Sequence, residues 1–551
     1  MSWRWPLLPR AGGGGVGRGL LALTGLGLLQ AGVAVAAAHL TRRGFDLLFA
    51  DSKAAGATGT VFAGLLLLAG ASAALRYLET RTSEQLGHRW VQELRTALFA
   101  HLLRLSPDHP LPCREGALLL RLTGDMSALR LWLARGLARL TASGVAVAAT
   151  LIALAVLVPQ LALLLVAGLG LLAAMGWAAG RGLRDSARRL RRLRARLVQR
   201  MAERLRARAT IAAFARELRE QRRLERWSRV LLAETFRRAA AVARLRAVAE
   251  AGSYAVPALT LAFAVAVAGA AQLTPGMLLT ALLLTGLFAP RLRELARVVE
   301  YASAAQVAAE RVDALFALPP RRRGRRELPA GGGALQVRGL ACGPLRKVSF
   351  SLPAGARAAL LGPSGAGKTT LLLLLAGVRA PSAGRIRIDG EELQRLRPAA
   401  RRRAVAYAGE AVPLLGEHLE DMLSYGVEGE GEEQGRLVEL LAALGFPAWA
   451  EGIAAGRRVR VRPERLSAGE RMRLAVIRAL LARPRLLLLD EVEAGLDGEL
   501  RKRLWELLAA HPGTLLFATH DRSLLHHADR VLQLADGRLR EREEVRLEVV
   551  G

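Results

Sequence analysis

The chain has 551 residues, several times the length of a typical domain, so at least two domains are expected. A hydrophobic fraction of 52% and a mean hydropathy of +0.24 are high for a chain that is also 23% charged, and the long apolar blocks are typical of a membrane protein. The formal net charge of +32 is compatible with nucleic-acid binding, but the arginine runs lie between apolar blocks. This arrangement favours basic loops beside membrane helices, and we expect no nucleic-acid partner.

Six apolar stretches have about the length of 20 residues that a helix needs to cross a bilayer. They lie near residues 18–40, 57–77, 138–158, 160–180, 250–271 and 276–292. The first stretch also has features of a signal peptide, but the further stretches favour a first membrane helix. We therefore predict an all-α, six-helix transmembrane domain over residues 1–318.

The loops between these stretches differ in charge and length. Long arginine-rich segments follow the second and fourth stretches, whereas the turns at 158–159 and 273–276 are short and uncharged. Basic loops collect on the cytoplasmic side, so both termini are expected there. The spacer after the first stretch, with Arg42, Arg43 and Lys53, argues mildly against this orientation.

The arginine-rich segments have the apolar spacing of helices. Residues 89–105 and 193–214 carry apolar side chains three and four positions apart, so they are predicted to extend the membrane helices into the cytoplasm. Helix is predicted to continue to about Leu318, and a Pro- and Gly-rich linker covers 319–334. Short apolar runs then alternate with helical patterns, which predicts an α/β domain over 335–551.

A few polar side chains fall within or at the ends of the apolar stretches. They are Gln30, His39, Glu250 and Arg291. Such groups are rare in membranes and are candidate substrate contacts, although hydrogen bonds between helices explain them equally well.

A glycine-rich loop matches the pattern GxxxxGK[ST] between an apolar strand at 358–361 and a helix at 370–375. The loop and the first residue of the helix comprise Gly362, Pro363, Ser364, Gly365, Ala366, Gly367, Lys368, Thr369 and Thr370. Inward-pointing N–H groups and the helix N-terminus suit phosphates, while Lys368 would reach the β- and γ-phosphates and Thr369 would hold Mg²⁺. Lys368 is one of only four lysines in this arginine-rich chain. The sequence therefore predicts ATP and Mg²⁺ as ligands.

A second motif follows the apolar run at 486–489, which is predicted to be a buried parallel strand. Asp490 at its end would orient Mg²⁺. Glu491 is placed to polarise an attacking water as general base.

With both motifs present, the C-terminal domain resembles the ATP-binding cassette (ABC) family. Residues 466–470 read LSAGE, similar to the family signature LSGGQ, and end 20 residues before Asp490. Asp497 resembles the family's D-loop aspartate and His520 its switch histidine. The N-terminal half resembles the six-helix exporter type, with 101–125 and 203–217 similar to its two cytoplasmic loops.

The resemblance implies a multidomain ATP-driven export pump of the inner (cytoplasmic) membrane, with a P-loop ATPase domain inside the cell. Two ATPase domains of this family enclose two ATP molecules, so a second half-transporter, identical or related, is implied. His520 would contact the γ-phosphate of its own ATP. Ser467 and Gly469 are implied to contact the ATP held by the partner subunit. The resemblance also implies nucleotide-binding roles for Ala468, Glu470 and Asp497.

The chain departs from the family pattern at three places. Glu410 stands where the family has a glutamine that touches Mg²⁺, the signature carries Ala468 and Glu470, and no aromatic residue lies near 340–343 to stack on adenine. An impaired or regulatory subunit of a heterodimer is therefore an alternative, and a nucleic-acid-associated ABC ATPase is another. Thiol or cysteine, lipid and drug cargoes all stay open.

Overall fold

The computed structural model describes residues 13–50, 55–107, 109, 118–119, 121–267, 275–286, 288–321, 324–427, 432–493 and 496–542. The chain forms two compact units. The first comprises Met1–Leu103 and Pro110–Pro319, and the second comprises Arg104–His109 and Pro320–Gly551. The finer limits predicted from the sequence, with a linker over 319–334, stay a prediction.

The first unit consists of long helices. They are α1 (Gly13–Ala50), α2 (Ala55–Leu102), α3 (Met126–Leu131), α4 (Ala138–Leu157), α5 (Pro159–Gly180), α6 (Leu183–Arg206), α7 (Arg208–Ala213), α8 (Glu217–Val267), α9 (Pro275–Gly286) and α10 (Phe288–Phe316). Two π-helical turns, Arg121–Asp125 and Trp132–Leu137, flank α3. The predicted tight turn between the third and fourth spans is confirmed, since α4 ends at Leu157 and α5 begins at Pro159.

Among the described residues, four helical stretches are long and apolar enough to cross a membrane. They are Gly15–Phe45, Gly59–Leu102, Arg121–Val156 and Pro159–Arg206. They contain the first and fourth predicted spans and all but two residues each of the second and third. At most 28% of the most apolar window of each is buried, so apolar side chains face outwards, as expected of helices in contact with lipid. The fifth and sixth predicted spans include residues 268–271 and 287, which lie outside the described residues.

Two helices are much longer than a membrane is thick. Helix α2 has 48 residues and α8 has 51. At about 1.5 Å per residue, each measures more than twice the roughly 30 Å of a bilayer's hydrocarbon core. Helical extension beyond the second apolar stretch is therefore confirmed. The predicted helix over 193–214 is divided, because the backbone at Ala207 (ψ 17°) leaves the helical conformation between α6 and α7.

The second unit is an α/β fold built on two sheets. Its strands are β1 (Leu335–Cys342), β2 (Leu345–Leu352), β3 (Arg357–Leu361), β4 (Ala383–Ile388), β5 (Glu391–Glu392), β6 (Val405–Ala408), β7 (Leu486–Asp490), β8 (Thr514–Ala518), β9 (Arg530–Ala535) and β10 (Arg538–Arg542). Its helices are α11 (Lys368–Leu375), α12 (Pro398–Ala404), α13 (Leu419–Leu423), α14 (Glu432–Ala443), α15 (Pro447–Ala454), α16 (Ala468–Leu481) and α17 (Gly498–Ala509). The predicted fold class, a helical membrane domain followed by an α/β domain, is confirmed.

The larger sheet has the order β10-β9-β3-β8-β7-β6, with parallel pairing from β9 to β6. Every residue of β7 is buried, and its side chains alternate between two hydrophobic cores. Leu487 and Leu489 enter one core, and Leu486 and Leu488 enter the other. This packing fixes the strand, so Asp490 is held at the C-terminal edge of the parallel strands, where α/β sheets bind ligands.

Candidate active site

The glycine-rich loop connects the central strand β3 to helix α11. Gly367 is the N-cap of α11 with φ of 105°, a left-handed conformation that favours glycine. A Cβ on Gly362 would lie 2.3 Å from the carbonyl oxygen of Leu534, so only glycine fits there. The loop therefore adopts a turn in which backbone N–H groups and the helix N-terminus can face one anion.

Three charged or titratable side chains converge at the end of this loop. Nζ of Lys368 donates to the carbonyl oxygen of Gly362 at 2.8 Å and lies 2.9 Å from Nε2 of His520. The same His520 nitrogen lies 2.7 Å from Oε1 of Glu491, which is 3.7 Å from Lys368 Nζ. Glu491 has φ of 52°, a left-handed backbone conformation, and it directly follows the end of β7. The predicted lysine, glutamate and histidine are thus brought together.

Asp490 is buried beside this group, and one of its two carboxylate oxygens accepts a hydrogen bond. Tyr407 donates its hydroxyl to Oδ2 at 3.0 Å, and Oδ1 has no hydrogen-bond partner within the described part of the chain. Burial raises the pKa of Asp490, although the hydroxyls of Thr369 and Tyr407 oppose that shift. Burial and the Asp490 charge likewise raise the pKa of Tyr407, so its hydroxyl stays a donor.

A cavity of about 460 Å³ joins most of the predicted site. The predicted residues that line it are Pro363, Ser364, Gly365, Gly367, Lys368, Thr369, Thr370, Glu410, Asp490 and Glu491. Pro344, Ala411 and Met472 also line it and were not predicted. None of the described residues that line this cavity is aromatic, and Pro344 lies close after the segment where the family stacks adenine.

The signature residues lie at the start of helix α16 and do not line this cavity. Ser467 is the N-cap, and its Oγ accepts the backbone N–H of Glu470 at 3.2 Å. Oε2 of Glu470 accepts the backbone N–H and the hydroxyl of Ser467, each at 2.8 Å, so the two residues form a capping box. The Ser467 N–H lowers the pKa of Glu470. Ala468 and Gly469 form the first turn.

Asp497 caps the next helix in a similar way. Its Oδ1 accepts the backbone N–H of Leu500 at 2.8 Å at the start of α17. The residues Ala494 and Gly495 beside it lie outside the described residues.

Sequence reasoning missed two features of the site. The first is the role of Glu470 in the capping box. The Ser-x-x-Glu spacing of residues 467–470 is typical of such a box and could have predicted this role. The contact between Tyr407 and Asp490 joins residues 83 positions apart, and nothing in the apolar strand around Tyr407 indicates it.

Comparison with known proteins matches both halves of the chain to family models. Residues 20–290 match the ABC transporter transmembrane region, and residues 345–494 match the ABC transporter family model. The apolar helices of the first half accord with a multi-pass membrane protein, and the second half is an ATP-binding domain.

Several curated proteins are similar to this chain. A lipoprotein-releasing system ATP-binding protein LolD of Chromohalobacter salexigens is 37% identical over 210 residues, 35% of this chain and 85% of that protein. A β-(1→2)glucan export ATP-binding/permease protein NdvA of Rhizobium etli is 36% identical over 230 residues, 39% of each chain. A mitochondrial potassium channel ATP-binding subunit of Pongo abelii is 29% identical over 502 residues, 86% of this chain and 68% of that protein. The match spans 55% of the length of an Fe(3+) import ATP-binding protein FbpC of Pseudomonas fluorescens, so some relatives are matched over only about half of their length.

The fold is also that of a solved structure, a bacterial Atm1-family ABC exporter with ATP bound. The TM-score is 0.84 at 21% identity, over 95% of this chain and 94% of that one. Taken with the two family matches and the geometry of the site, the chain belongs to the ABC transporter family as a half-transporter, with a transmembrane region followed by an ATPase domain.

Proposed function

We propose that the chain is one subunit of an ATP-driven export pump, in which ATP hydrolysis in the second unit drives transport through the first. The observation that carries the proposal is the convergence of Lys368, Asp490 and Glu491 on one cavity beside a glycine-rich loop. The chain also carries a transmembrane region.

Lys368 and the loop are proposed to bind the phosphates. Lys368 is 5% exposed and is held by the Gly362 carbonyl, so its ammonium group is already directed at the loop. Gly365, Gly367 and the N-terminus of α11 supply backbone N–H groups for the same anion.

Thr369 and Asp490 are proposed to hold Mg²⁺. Oδ1 of Asp490 is a buried acceptor without a partner in the described residues, and Thr369 lines the same cavity, so the donor set fits a hard cation with oxygen ligands. When bound, Mg²⁺ neutralises phosphate charge during phosphoryl transfer. Tyr407 holds the other carboxylate oxygen in place.

Glu491 is proposed as the general base and His520 as a γ-phosphate contact. Glu491 would accept a proton from a water molecule while the oxygen of that water attacks the terminal phosphorus of ATP. The bond between this phosphorus and ADP breaks, which leaves ADP and inorganic phosphate. Its carboxylate lies 2.7 Å from His520, which keeps both side chains at the mouth of the loop.

A second half-transporter, identical or related, is the proposed partner. The cavity beside the glycine-rich loop is not lined by Ser467, Gly469 or Asp497 of the same chain. This separation supports a role for residues 467–470, and for Asp497, at the nucleotide of the partner.

The arginine-rich helical extensions support an ATPase domain on the cytoplasmic side of the inner membrane. The export direction is supported by the similarity to NdvA, a β-(1→2)glucan export protein.

A subunit with reduced ATPase activity is a second candidate. Glu410 lines the cavity in place of the family's glutamine and adds a negative charge beside the phosphate site. That charge would weaken the binding of a polyphosphate.

The test is ATP turnover by the purified chain in detergent. Glu491→Gln and Lys368→Ala should each lower turnover by roughly a hundredfold or more, since each removes a group placed at the reacting phosphate. Lys502→Ala is the matched control, because Lys502 is an exposed lysine on α17 and should leave turnover unchanged. Wild-type turnover that survives both site substitutions would exclude the assigned roles. ATP binding without turnover in the wild type would favour the second candidate.

A further inference from the structure

A second cavity, of about 290 Å³, lies within the helical unit among α1, α2, α4 and α10. Its charged and amide-bearing lining residues are Gln30, Arg76, Arg291 and Glu294. The volume is many times the roughly 30 Å³ that one water occupies, so the cavity is large enough for part of an organic molecule. Ionisable groups within or at the ends of membrane helices are candidates for function.

The charged side chains form one connected network. Arg76 donates to Oε2 of Glu79 at 3.2 Å and to Oε1 of Glu294 at 2.5 Å. Arg291 donates to Oε2 of Glu294 at 3.5 Å and to Oε1 of Gln30 at 3.3 Å. Two arginines and two glutamates balance in charge, so the cavity can persist in an apolar surrounding.

The two signs of charge are not equally accessible. The side chains of Glu79 and Glu294 are 5% and 11% exposed, whereas those of Arg291 and Arg76 are 19% and 45% exposed. The carboxylates therefore contact the guanidinium groups on their buried side and leave their more exposed side accessible. Each guanidinium carries five N–H donors and uses two in the contacts above, so donors remain for a further acceptor.

The carboxylates have less capacity left. Glu294 already accepts from both arginines, and Ser143 donates its hydroxyl to Oε2 at 2.9 Å. Gln30 donates to Glu79 at 2.9 Å. The unused hydrogen-bonding capacity of the network is thus mainly donor capacity, which suits a group of anionic oxygens.

We propose that this cavity binds a carboxylate or phosphate group of the transported cargo, with Arg76 and Arg291 as its contacts. The inference rests on the proposed transport function and adds a chemical class of substrate to it. Of the polar residues noted from the sequence, Gln30 and Arg291 belong to this site. His39 and Glu250 do not line it, and Glu250 instead pairs with Arg293 at 3.0 Å.

The experiment compares two fluorescent probes that differ at one group. Dansylglycine carries a carboxylate and dansylamide does not. Their binding is titrated on the full chain in phosphatidylcholine nanodiscs without nucleotide. The wild type should bind dansylglycine roughly tenfold or more tightly than dansylamide, since hydrogen bonds to charged groups account for about that factor.

Three substitutions locate the preference. Arg291→Gln should reduce it to about twofold or less, with dansylamide binding unchanged, because the cavity remains while the donors are lost. Arg291→Lys keeps the charge beside Glu294 and should still lose most of the preference, because lysine lacks the planar fork. Arg293→Gln is the control from the same helix, and it should behave as the wild type because its partner Glu250 lies outside the cavity.

Equal binding of the two probes by the wild type, or a preference that survives both substitutions of Arg291, would overturn the proposal.

Adding phosphatidylglycerol to the nanodiscs distinguishes the source of the anionic group. Competition with dansylglycine indicates a lipid headgroup, and its absence indicates a free organic anion; both retain the assigned chemistry. ATP turnover is measured on the same sample, so failure of the pump hypothesis and failure of the cavity assignment are separately visible.

Discussion

Tyr407 and Asp490 meet where two parallel strands of the larger sheet end side by side. β6 pairs with β7, and the tyrosine hydroxyl extends along the edge to the carboxylate two positions beyond its paired residue Leu488. Gly409 makes the contact possible, since a Cβ there would lie 2.4 Å from the tyrosine hydroxyl oxygen. Oδ1, the other oxygen of that carboxylate, has no hydrogen-bond partner among the residues that the structure describes.

Tyr407→Phe should therefore weaken Mg²⁺ binding. Loss of the hydroxyl frees Asp490 to rotate, and removal of such an outer partner typically lowers metal affinity by about tenfold or more. The Mg²⁺ concentration for half-maximal ATP turnover should rise accordingly. Tyr425→Phe, at an exposed tyrosine of the same unit, should leave it unchanged. An unchanged Mg²⁺ dependence in Tyr407→Phe would show that the hydroxyl does not position Asp490.

At the scale of elements, helix α16 begins with a capping box in which Glu470, one of the two departures from the family signature, pairs with Ser467. Glu470 stands where the family has glutamine, and its carboxylate accepts two hydrogen bonds from Ser467. The same contacts commit the Ser467 hydroxyl to its own helix. The acidic residue therefore stabilises the start of α16.

Glu470→Ala should loosen the first turn of α16 while Glu470→Gln largely preserves it. Loss of the reciprocal hydrogen bonds costs about 1 kcal/mol, which corresponds to roughly fivefold faster amide hydrogen exchange in that turn. Glutamine keeps a side-chain oxygen that can accept the Ser467 N–H. Exchange measured by mass spectrometry over residues 463–475 checks this, and equal rates in the two variants would contradict it.

At the scale of the whole molecule, most of the basic residues favour one orientation of the membrane helices, and the spacer with Arg42, Arg43 and Lys53 is the exception. The long helices α2 and α8 continue far beyond the span of a bilayer and carry arginine-rich segments. A basic extension of this kind belongs on the cytoplasmic side. The ATPase domain is expected on the same side.

Cysteine labelling tests that orientation. The chain has two cysteines, and in a Cys113→Ala background only the half-buried Cys342 of the ATPase domain remains. A membrane-impermeant maleimide should label it in inverted vesicles and not in right-side-out vesicles. Gln160→Cys in a chain without the other cysteines is the control, because this exposed position follows the turn predicted to lie outside. Labelling of both cysteines from the same side would contradict the orientation.

The sequence by itself determined the elements whose cause is local. The glycine-rich loop, the apolar strand before it, the helix after it and the first four membrane spans all follow from contiguous residues, because backbone conformation and hydrophobic length are local properties. The family resemblance then placed Glu491, Ser467 and His520 in one ATPase domain.

Only the tertiary structure decided which distant side chains touch. Tyr407 reaches Asp490, His520 lies between Lys368 and Glu491, and Arg76 shares Glu294 with Arg291, although 218 positions separate Arg76 from Glu294. Such contacts depend on how strands register and how helices rotate against one another. No spacing along the chain encodes that geometry, because it is fixed by the packing of whole cores.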